Sequence, residues 1–235
     1  MKKNLKTNLI WLAIIAVVYA ILSALIVAGI INAFVAQIIT QIGINLIVAV
    51  GLNLVIGFTG QFSFGSAGFM AIGAYTSAIV TARMAPTWGT IFLSMLIGAI
   101  IAGIVAVIVG YPTLRLKGDY LAIATLGVSE IIRILIMNGG DLTNGAAGLS
   151  GIILFTDWGM TFIFAVVIII LILNFINSPS GRATLSVRED EIASESMGVN
   201  VTRVKVIAFT LGAMVTAIAG SLYAGFIGTV TPKDF

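Results

Sequence analysis

Residues 88–111 read WGTIFLSMLIGAIIAGIVAVIVGY, a run of 24 positions without one charged side chain. An α-helix rises 1.5 Å per residue, so this run would be about 36 Å long, and the hydrocarbon core of a bilayer is about 30 Å thick. Other apolar runs of similar length lie along the chain, at residues 9–31, 33–58, 120–137, 158–176 and 206–230. A segment rich in small residues, 66–83, lies shortly before the quoted run. The sequence therefore predicts about seven membrane-embedded helical segments.

The overall composition excludes a soluble protein. Hydrophobic residues make up 60% of the chain and charged residues 9%, and the mean hydropathy is +1.17. Soluble domains carry about 45–50% apolar and about 25% charged residues. Strands of a membrane barrel alternate apolar and polar positions, whereas the runs in this chain are continuously apolar. We therefore expect an all-α, polytopic membrane helix bundle that forms one domain over residues 1–235.

The basic residues predict that the amino terminus is cytoplasmic. With that orientation nine lysines and arginines fall in cytoplasmic segments and two, Arg83 and Lys233, fall outside. The cytoplasmic nine are Lys2, Lys3, Lys6, Arg115, Lys117, Arg182, Arg188, Arg203 and Lys205. This bias also favours a full crossing by residues 66–83. The first run, residues 9–31, exceeds the 7–15 apolar residues of a signal peptide, so we expect a retained span.

The residue inventory disfavours an enzyme. The chain has no cysteine and no histidine, which removes the commonest zinc ligands and the usual general base. The net charge is only +3 and the basic residues lie in loops, so nucleic-acid binding is not expected. No G-x-x-x-x-G-K-[ST] loop is present, so any ATP would be hydrolysed by another subunit. We expect no catalytic residue, no metal and no cofactor.

The longest polar segment, residues 178–200, reads SPSGRATLSVREDEIASESMGVN. Its opening Ser–Pro pair is typical of a helix start, and Gly198 and Asn200 suit a helix end. A weak apolar stripe is formed by Leu185, Ile192, Ala193 and Met197. We expect a short cytoplasmic helix whose apolar side rests on the bundle and whose charged side docks a partner. A solvated linker with helical tendency is the alternative.

A glycine-rich stretch, residues 57–65, follows the second apolar run. Glycine-interrupted helices in transporters often line the substrate route, and Gln61, Ser63 and Ser66 supply polar side chains here. We interpret these three residues as part of a translocation pathway. A flexible connection between two helices is the alternative interpretation.

Two further sets of polar residues fall inside predicted spans. Glu130 and Arg133 are three positions apart, so they share one helix face and form either a structural ion pair or part of the pathway. Gln37, Gln41 and Asn45 recur every fourth residue of the second span. Interhelical hydrogen bonding is the interpretation that we favour for these amides, with a place along the route as the alternative.

Four stretches together resemble the permease subunits of branched-chain amino-acid ABC importers, the LivH/LivM family, and most nearly its LivM type. The stretches are residues 53–75, residues 115–133, the run GLSGI at 148–152, and residues 181–200. Their order matches the family from about the second span onward. Relatives continue with further spans, so the sequence as given is expected to lack the carboxyl-terminal spans of its family.

The resemblance implies a permease subunit that forms half of the translocation pathway for leucine, isoleucine and valine in the cell membrane. Its implied partners are a second permease, two ABC ATPases and an extracytoplasmic substrate-binding protein. Residues 178–200 correspond to the coupling segment that docks the ATPase. Its coupling residues are Arg182, Arg188, Glu189, Asp190, Glu191, Glu195 and Gly198. Urea or short-chain amides are an alternative cargo, and an ion-coupled secondary transporter is an alternative class.

Overall fold

The computed structural model describes residues 2–84, 87–116 and 118–235, with side chains from Trp11 onward except Leu12. Lys117 and the side chains of Lys2, Lys3 and Lys6 lie outside the described residues. The helices are α1 Lys2–Val27, α2 Ala33–Thr59, α3 Ser66–Arg83, α4 Trp88–Thr113, α5 Asp119–Met137, α6 Trp158–Asn177, α7 Pro179–Glu189, α8 Glu191–Ser196 and α9 Val201–Ile227. Two short strands, β1 Leu149–Ser150 and β2 Thr229–Val230, pair antiparallel.

The prediction of an all-α membrane bundle is confirmed. Five of the described helices, α2, α4, α5, α6 and α9, are long and apolar enough to cross a membrane. Helix α3 has 18 residues and is largely buried, yet it falls outside that set. Its small residues reduce its hydropathy, while its burial inside the bundle spares it contact with lipid.

Helix α9 lies at the centre of the bundle and packs against α2, α3 and α4. The small residues that recur along it let neighbouring backbones approach closely, as expected of membrane helix contacts. Ala213, Ala217 and Ser221 are buried there, and the Ser221 hydroxyl donates a hydrogen bond to the Gly73 carbonyl of α3 at 3.0 Å. A Cβ at Gly73 would lie 1.9 Å from the Ala217 carbonyl oxygen, so this crossing requires glycine.

Helix α2 has a polar side that the described residues leave exposed. Its core-facing side carries Ile44 and Ile47, which are fully buried against the bundle. Gln37, Gln41 and Asn45 lie on the exposed side. No described residue of this chain covers these amides, so their interhelical hydrogen bonding stays a prediction. The sequence showed that they share one side of the helix but not which way that side faces.

Candidate functional site

The path between α2 and α3 is not helical. Helix α2 ends at Gly60, whose φ of 68° is the left-handed conformation that closes many helices. Residues 61–64, the extended segment, lie in neither helix nor strand, and their burial alternates from one residue to the next, as in an extended chain whose side chains point to two sides. Gly65 then turns into α3. Gln61 and Ser63 are buried, whereas Phe62 and Phe64 are 63% and 57% exposed. A segment predicted from glycine content alone thus has one polar buried side and one aromatic exposed side.

Hydroxyl groups of α5 replace the helical hydrogen bonds that this segment lacks. The Phe64 amide donates to the Thr125 hydroxyl at 3.0 Å, and the Ser129 hydroxyl donates to the Phe64 carbonyl at 3.2 Å. The Gly68 amide in the first turn of α3 donates to the same Ser129 hydroxyl at 3.3 Å. Non-helical backbone inside a membrane protein is tolerated where protein buries it or where it lines a water-filled cavity. Here α5 supplies that protein contact.

A cavity of about 20 Å³ lies beside this segment. Its walls come from α2, α3, α9 and the extended segment, and its lining residues are Gly51, Leu52, Val55, Ser63, Ser66, Phe69, Phe209, Gly212, Ala213 and Thr216. A space of that size holds about one water molecule. Ser63 and Ser66, two of the predicted pathway residues, therefore meet in one small cavity between α2 and α9.

Gln61, the third predicted pathway residue, is also buried but does not line the cavity. Neither polar atom of its side-chain amide has a hydrogen-bond partner among the described residues. An unpaired buried amide of this kind costs about 1–3 kcal/mol. The unpaired Gln61 amide therefore makes the folded state less stable at this helix break. Such destabilising groups are common at sites that move or bind a ligand.

The Glu130–Arg133 pair forms on α5 as its spacing predicts. The Arg133 Nε donates to Glu130 Oε2 at 2.9 Å, and a second guanidinium nitrogen bonds the other carboxylate oxygen. Both side chains are partly exposed, and neither lines the cavity of Ser63 and Ser66. The pair therefore lies next to Ser129, which holds the extended segment, and outside the cavity itself.

The polar segment 178–200 folds as two helices rather than one. Asp190 ends α7 and begins α8, and its carboxylate accepts hydrogen bonds from the amides of Ile192 and Ala193 at 2.9 and 3.0 Å. Gly198, with a φ of 84°, follows α8 before α9 starts. Asp190 thus caps α8, a role that its place in a run of charged residues does not reveal.

Arg188 reaches from α7 to the end of α2. Its Nη1 donates to the Gly57 carbonyl at 3.0 Å, and its Nε donates to Glu189 Oε1 at 3.0 Å. A Cβ at Gly60 would lie 3.1 Å from the Arg188 Cγ, so the arginine stem lies against the residue that closes α2. Arg188 therefore joins the polar segment to the start of the helix break.

Glu191 pairs with Lys205, which in the sequence stands out only as one of the basic residues that predict the orientation. The Lys205 Nζ lies 3.0 Å from Glu191 Oε2, and Lys205 is only 7% exposed. A lysine at the beginning of an apolar run could have indicated a buried charge that needs a partner. Its carboxylate partner, however, is 14 positions away in the sequence. Such a distance gives no periodic pattern.

The prediction that the apolar stripe of the segment rests on the bundle is wrong, because most of the stripe faces away from it. Ile192 and Met197 are 73% and 85% exposed, and Ala193 is exposed as well, while only Leu185 is half-buried. The side that rests on the bundle carries Gly181, Thr184, Val187 and Ser194 instead. Small residues permit closer packing there than the stripe would. Arg182 donates to the Asn177 carbonyl at 2.8 Å, and Glu195 is exposed.

Most of the chain is similar to known membrane permeases. Residues 34–235 match the family described as branched-chain amino acid transport system / permease component. The high-affinity branched-chain amino acid transport system permease protein LivM of Salmonella typhimurium is 35% identical over 214 residues, covering 76% of this chain and 49% of that protein. The LivM protein of Escherichia coli is 36% identical over the same shares.

A more distant relative is the ribose import permease protein RbsC of Haemophilus influenzae. It is 27% identical over 173 residues, covering 68% of this chain and 51% of that protein. The chain spans about half the length of the curated relatives it matches. No solved structure is similar enough to add to the comparison.

Proposed function

The chain belongs to the family of branched-chain amino acid transport system permease components, and we propose that it forms part of the pathway of an ATP-driven importer for leucine, isoleucine and valine. We take this cargo from the names of the two LivM relatives, which are branched-chain amino acid permeases. Among the described residues, the observation that carries a transport role is the non-helical stretch 60–65, with Gln61 and Ser63 buried, inside a helical bundle. Such breaks line substrate routes in other transporters.

The proposed route passes Gln61, Ser63 and Ser66. The cavity at Ser63 and Ser66 has room for about one water, so an amino acid requires a second state in which α2 and α9 lie further apart. Alternating access supplies such a state, and the substrate must bind the two states with different affinity. Glu130 and Arg133 enter this proposal as a mutually neutralised pair beside the route.

The proposed ATPase site is the outer surface of α7 and α8, at the end that we assign to the cytoplasm. Exposed Ile192 and Met197 support it, because two large apolar side chains in water suit a partner's groove. The charged residues Arg182, Glu189 and Glu195 are exposed on the same two helices. Arg188, Asp190, Glu191 and Gly198 instead hold the segment in position. Two ABC ATPases would dock in this way, one on each permease.

The uncovered amides of α2 support a second permease as a partner. Lipid tails cannot hydrogen-bond Gln37, Gln41 and Asn45, whereas a second membrane subunit can. Each amide group carries donors and an acceptor, so two such surfaces can pair with each other. An extracytoplasmic substrate-binding protein completes the proposed importer and delivers the cargo.

The test is uptake of labelled leucine in cells with and without this chain, expressed with its partner subunits. Each measurement is repeated with ATP depleted and with the proton gradient collapsed. We expect uptake that needs both the chain and ATP. Labelled urea and ribose are the cargo controls, since ribose is the cargo in the name of one relative. Uptake of either in place of leucine would change the cargo, and loss only on collapsing the gradient would refute ATP coupling.

A further inference from the structure

We infer that Arg188 and the Glu191–Lys205 pair are positioning residues that transmit movement of α7 and α8 to the two walls of the Ser63–Ser66 cavity. The inference rests on the proposed function, because it assigns a path to the ATPase-driven motion. Arg188 contacts the end of α2, and Glu191 contacts the beginning of α9. Those two helices supply the facing walls of the cavity.

The first connection uses a carbonyl that its own helix leaves unpaired. The last four carbonyls of a helix have no intrahelical partner, and Gly57 lies in the last turn of α2. The Gly60 amide closes the turn on the Ile56 and Val55 carbonyls. The Arg188 guanidinium donates a hydrogen bond to the Gly57 carbonyl at 3.0 Å. Its positive charge lies at the negative end of the α2 dipole.

The position of this contact matters because the helix break starts there. Gly60 touches the Arg188 stem and is followed at once by the extended residues that contain Gln61 and Ser63. These residues have few hydrogen bonds of their own and depend on the hydroxyls of α5. A displacement of Arg188 is therefore delivered to the least regular backbone next to the cavity.

The second connection is an ion pair between a buried lysine, Lys205, and a half-buried carboxylate, Glu191. Lys205 is 7% exposed, and removal of its partner leaves an uncompensated charge. The pair therefore resists separation, so movement of Glu191 at the start of α8 must displace Lys205 and the first turns of α9. Helix α9 continues from there to Phe209, Gly212 and Thr216 in the cavity wall.

The two connections start only three residues apart, at 188 and 191, on either side of the α7–α8 bend at Asp190. A rotation of the bend would therefore shift the end of α2 and the beginning of α9 by different amounts. Relative displacement of these two helices is what the 20 Å³ cavity needs in order to admit a larger molecule. The geometry assigns to these three side chains a coupling role inside the permease, distinct from contact with the ATPase.

The test compares Arg188→Ala with Arg203→Ala in the assembled transporter. Arg203 is an exposed arginine in the first turn of α9 and serves as the matched control. For Arg188→Ala we expect unchanged ATPase co-purification, retained ATP hydrolysis, and about a five-fold or greater loss of substrate moved per ATP. Arg188→Lys, which keeps a cation but offers a single-point donor, should recover part of that ratio.

The ion pair is tested by charge exchange. Lys205→Glu should lose coupling or assembly, and the double variant Glu191→Lys with Lys205→Glu should restore it, because the pair is rebuilt with its order reversed. A double variant no better than Lys205→Glu would show that the pair does not transmit motion. Loss and rescue of substrate moved per ATP, at unchanged ATPase co-purification, distinguish coupling from simple loss of the fold.

A third measurement does not depend on transport. Hydrogen exchange of the chain in lipid nanodiscs should be faster at residues 60–65 in Arg188→Ala than in Arg203→Ala, since the end of α2 loses its partner. If the unaltered chain fails to move substrate, the proposed function fails while the exchange result still tests the connection. If Arg188→Ala equals Arg203→Ala in exchange and in substrate per ATP, the inference is overturned.

Discussion

The α3–α9 crossing and the segment 60–65 adjoin at the start of α3, yet they are built in opposite ways. At the crossing, backbones touch through Gly73, Ala217 and Gly220, and a Cβ at Gly220 would lie 2.0 Å from the Met70 carbonyl oxygen. In the segment, backbone groups rely on single hydroxyls, and the Gln61 amide has no partner among the described residues. The contrast separates a rigid frame from a path that can change shape, because close-packed backbones have no room to slide.

The largest expected effect tests the rigid side. Gly73→Ala places a Cβ against the Ala217 carbonyl of α9, so the two helices must separate. We expect a loss of stability of about 1–3 kcal/mol, seen as a lower midpoint of thermal unfolding in detergent. Gly127→Ala on α5 is the control, since nothing lies within 4 Å of its Cβ position. Equal unfolding midpoints for the two variants would remove the distinction between frame and path.

The next effect concerns the hydroxyls that hold the path. Thr125→Val leaves the Phe64 amide without its partner, at a cost of about 1–3 kcal/mol if the amide stays dry. We expect faster hydrogen exchange at residues 62–66 and reduced substrate uptake. Thr125→Ser keeps the hydroxyl and should behave like the unaltered chain. Slow exchange in Thr125→Val would mean that the segment is held by other contacts.

A smaller effect of opposite sign is expected at Gln61. Gln61→Leu removes two buried polar atoms that have no partner among the described residues, so stability should rise by about 1 kcal/mol. Transport should fall, because a stabilised closed segment opens less readily. Thermal unfolding and leucine uptake on the same preparation measure both quantities. A variant that gains stability and keeps full uptake would show that Gln61 has no part in the route.

The smallest effect on the fold is expected at the exposed surface of α8. Ile192→Ser together with Met197→Ser should leave thermal unfolding within about 0.5 kcal/mol of the unaltered chain, as surface changes usually do. ATPase co-purification should nevertheless weaken about ten-fold, since the apolar contact is lost. Arg203→Ser, an exposed change on α9 outside the proposed ATPase site, is the control. Undiminished co-purification would move the ATPase contact to the surrounding charges.

Much of the candidate site was visible in the sequence, but as separate parts. Glycine content and polarity located the segment with Gln61, Ser63 and Ser66, and composition located residues 178–200. The structure brings Ser63 and Ser66 to one cavity and connects the second segment to the first through Arg188 and Gly57. The pairing of Glu191 with Lys205 links residues on different helices, and no local spacing encodes it.

The sequence by itself determined the helical membrane bundle, because continuous apolar runs leave the backbone no partners but its own within lipid. It also determined the Glu130–Arg133 pair, since an i,i+3 contact is local. Only the tertiary structure decided that Gln41 and Asn45 face outward and that Ile192 and Met197 leave the bundle. Lipid and protein interior are both apolar, so hydropathy distinguishes the helix from the loop but not the core side of a helix from its outer side. That choice depends on which surfaces of α2, α3 and α9 fit together.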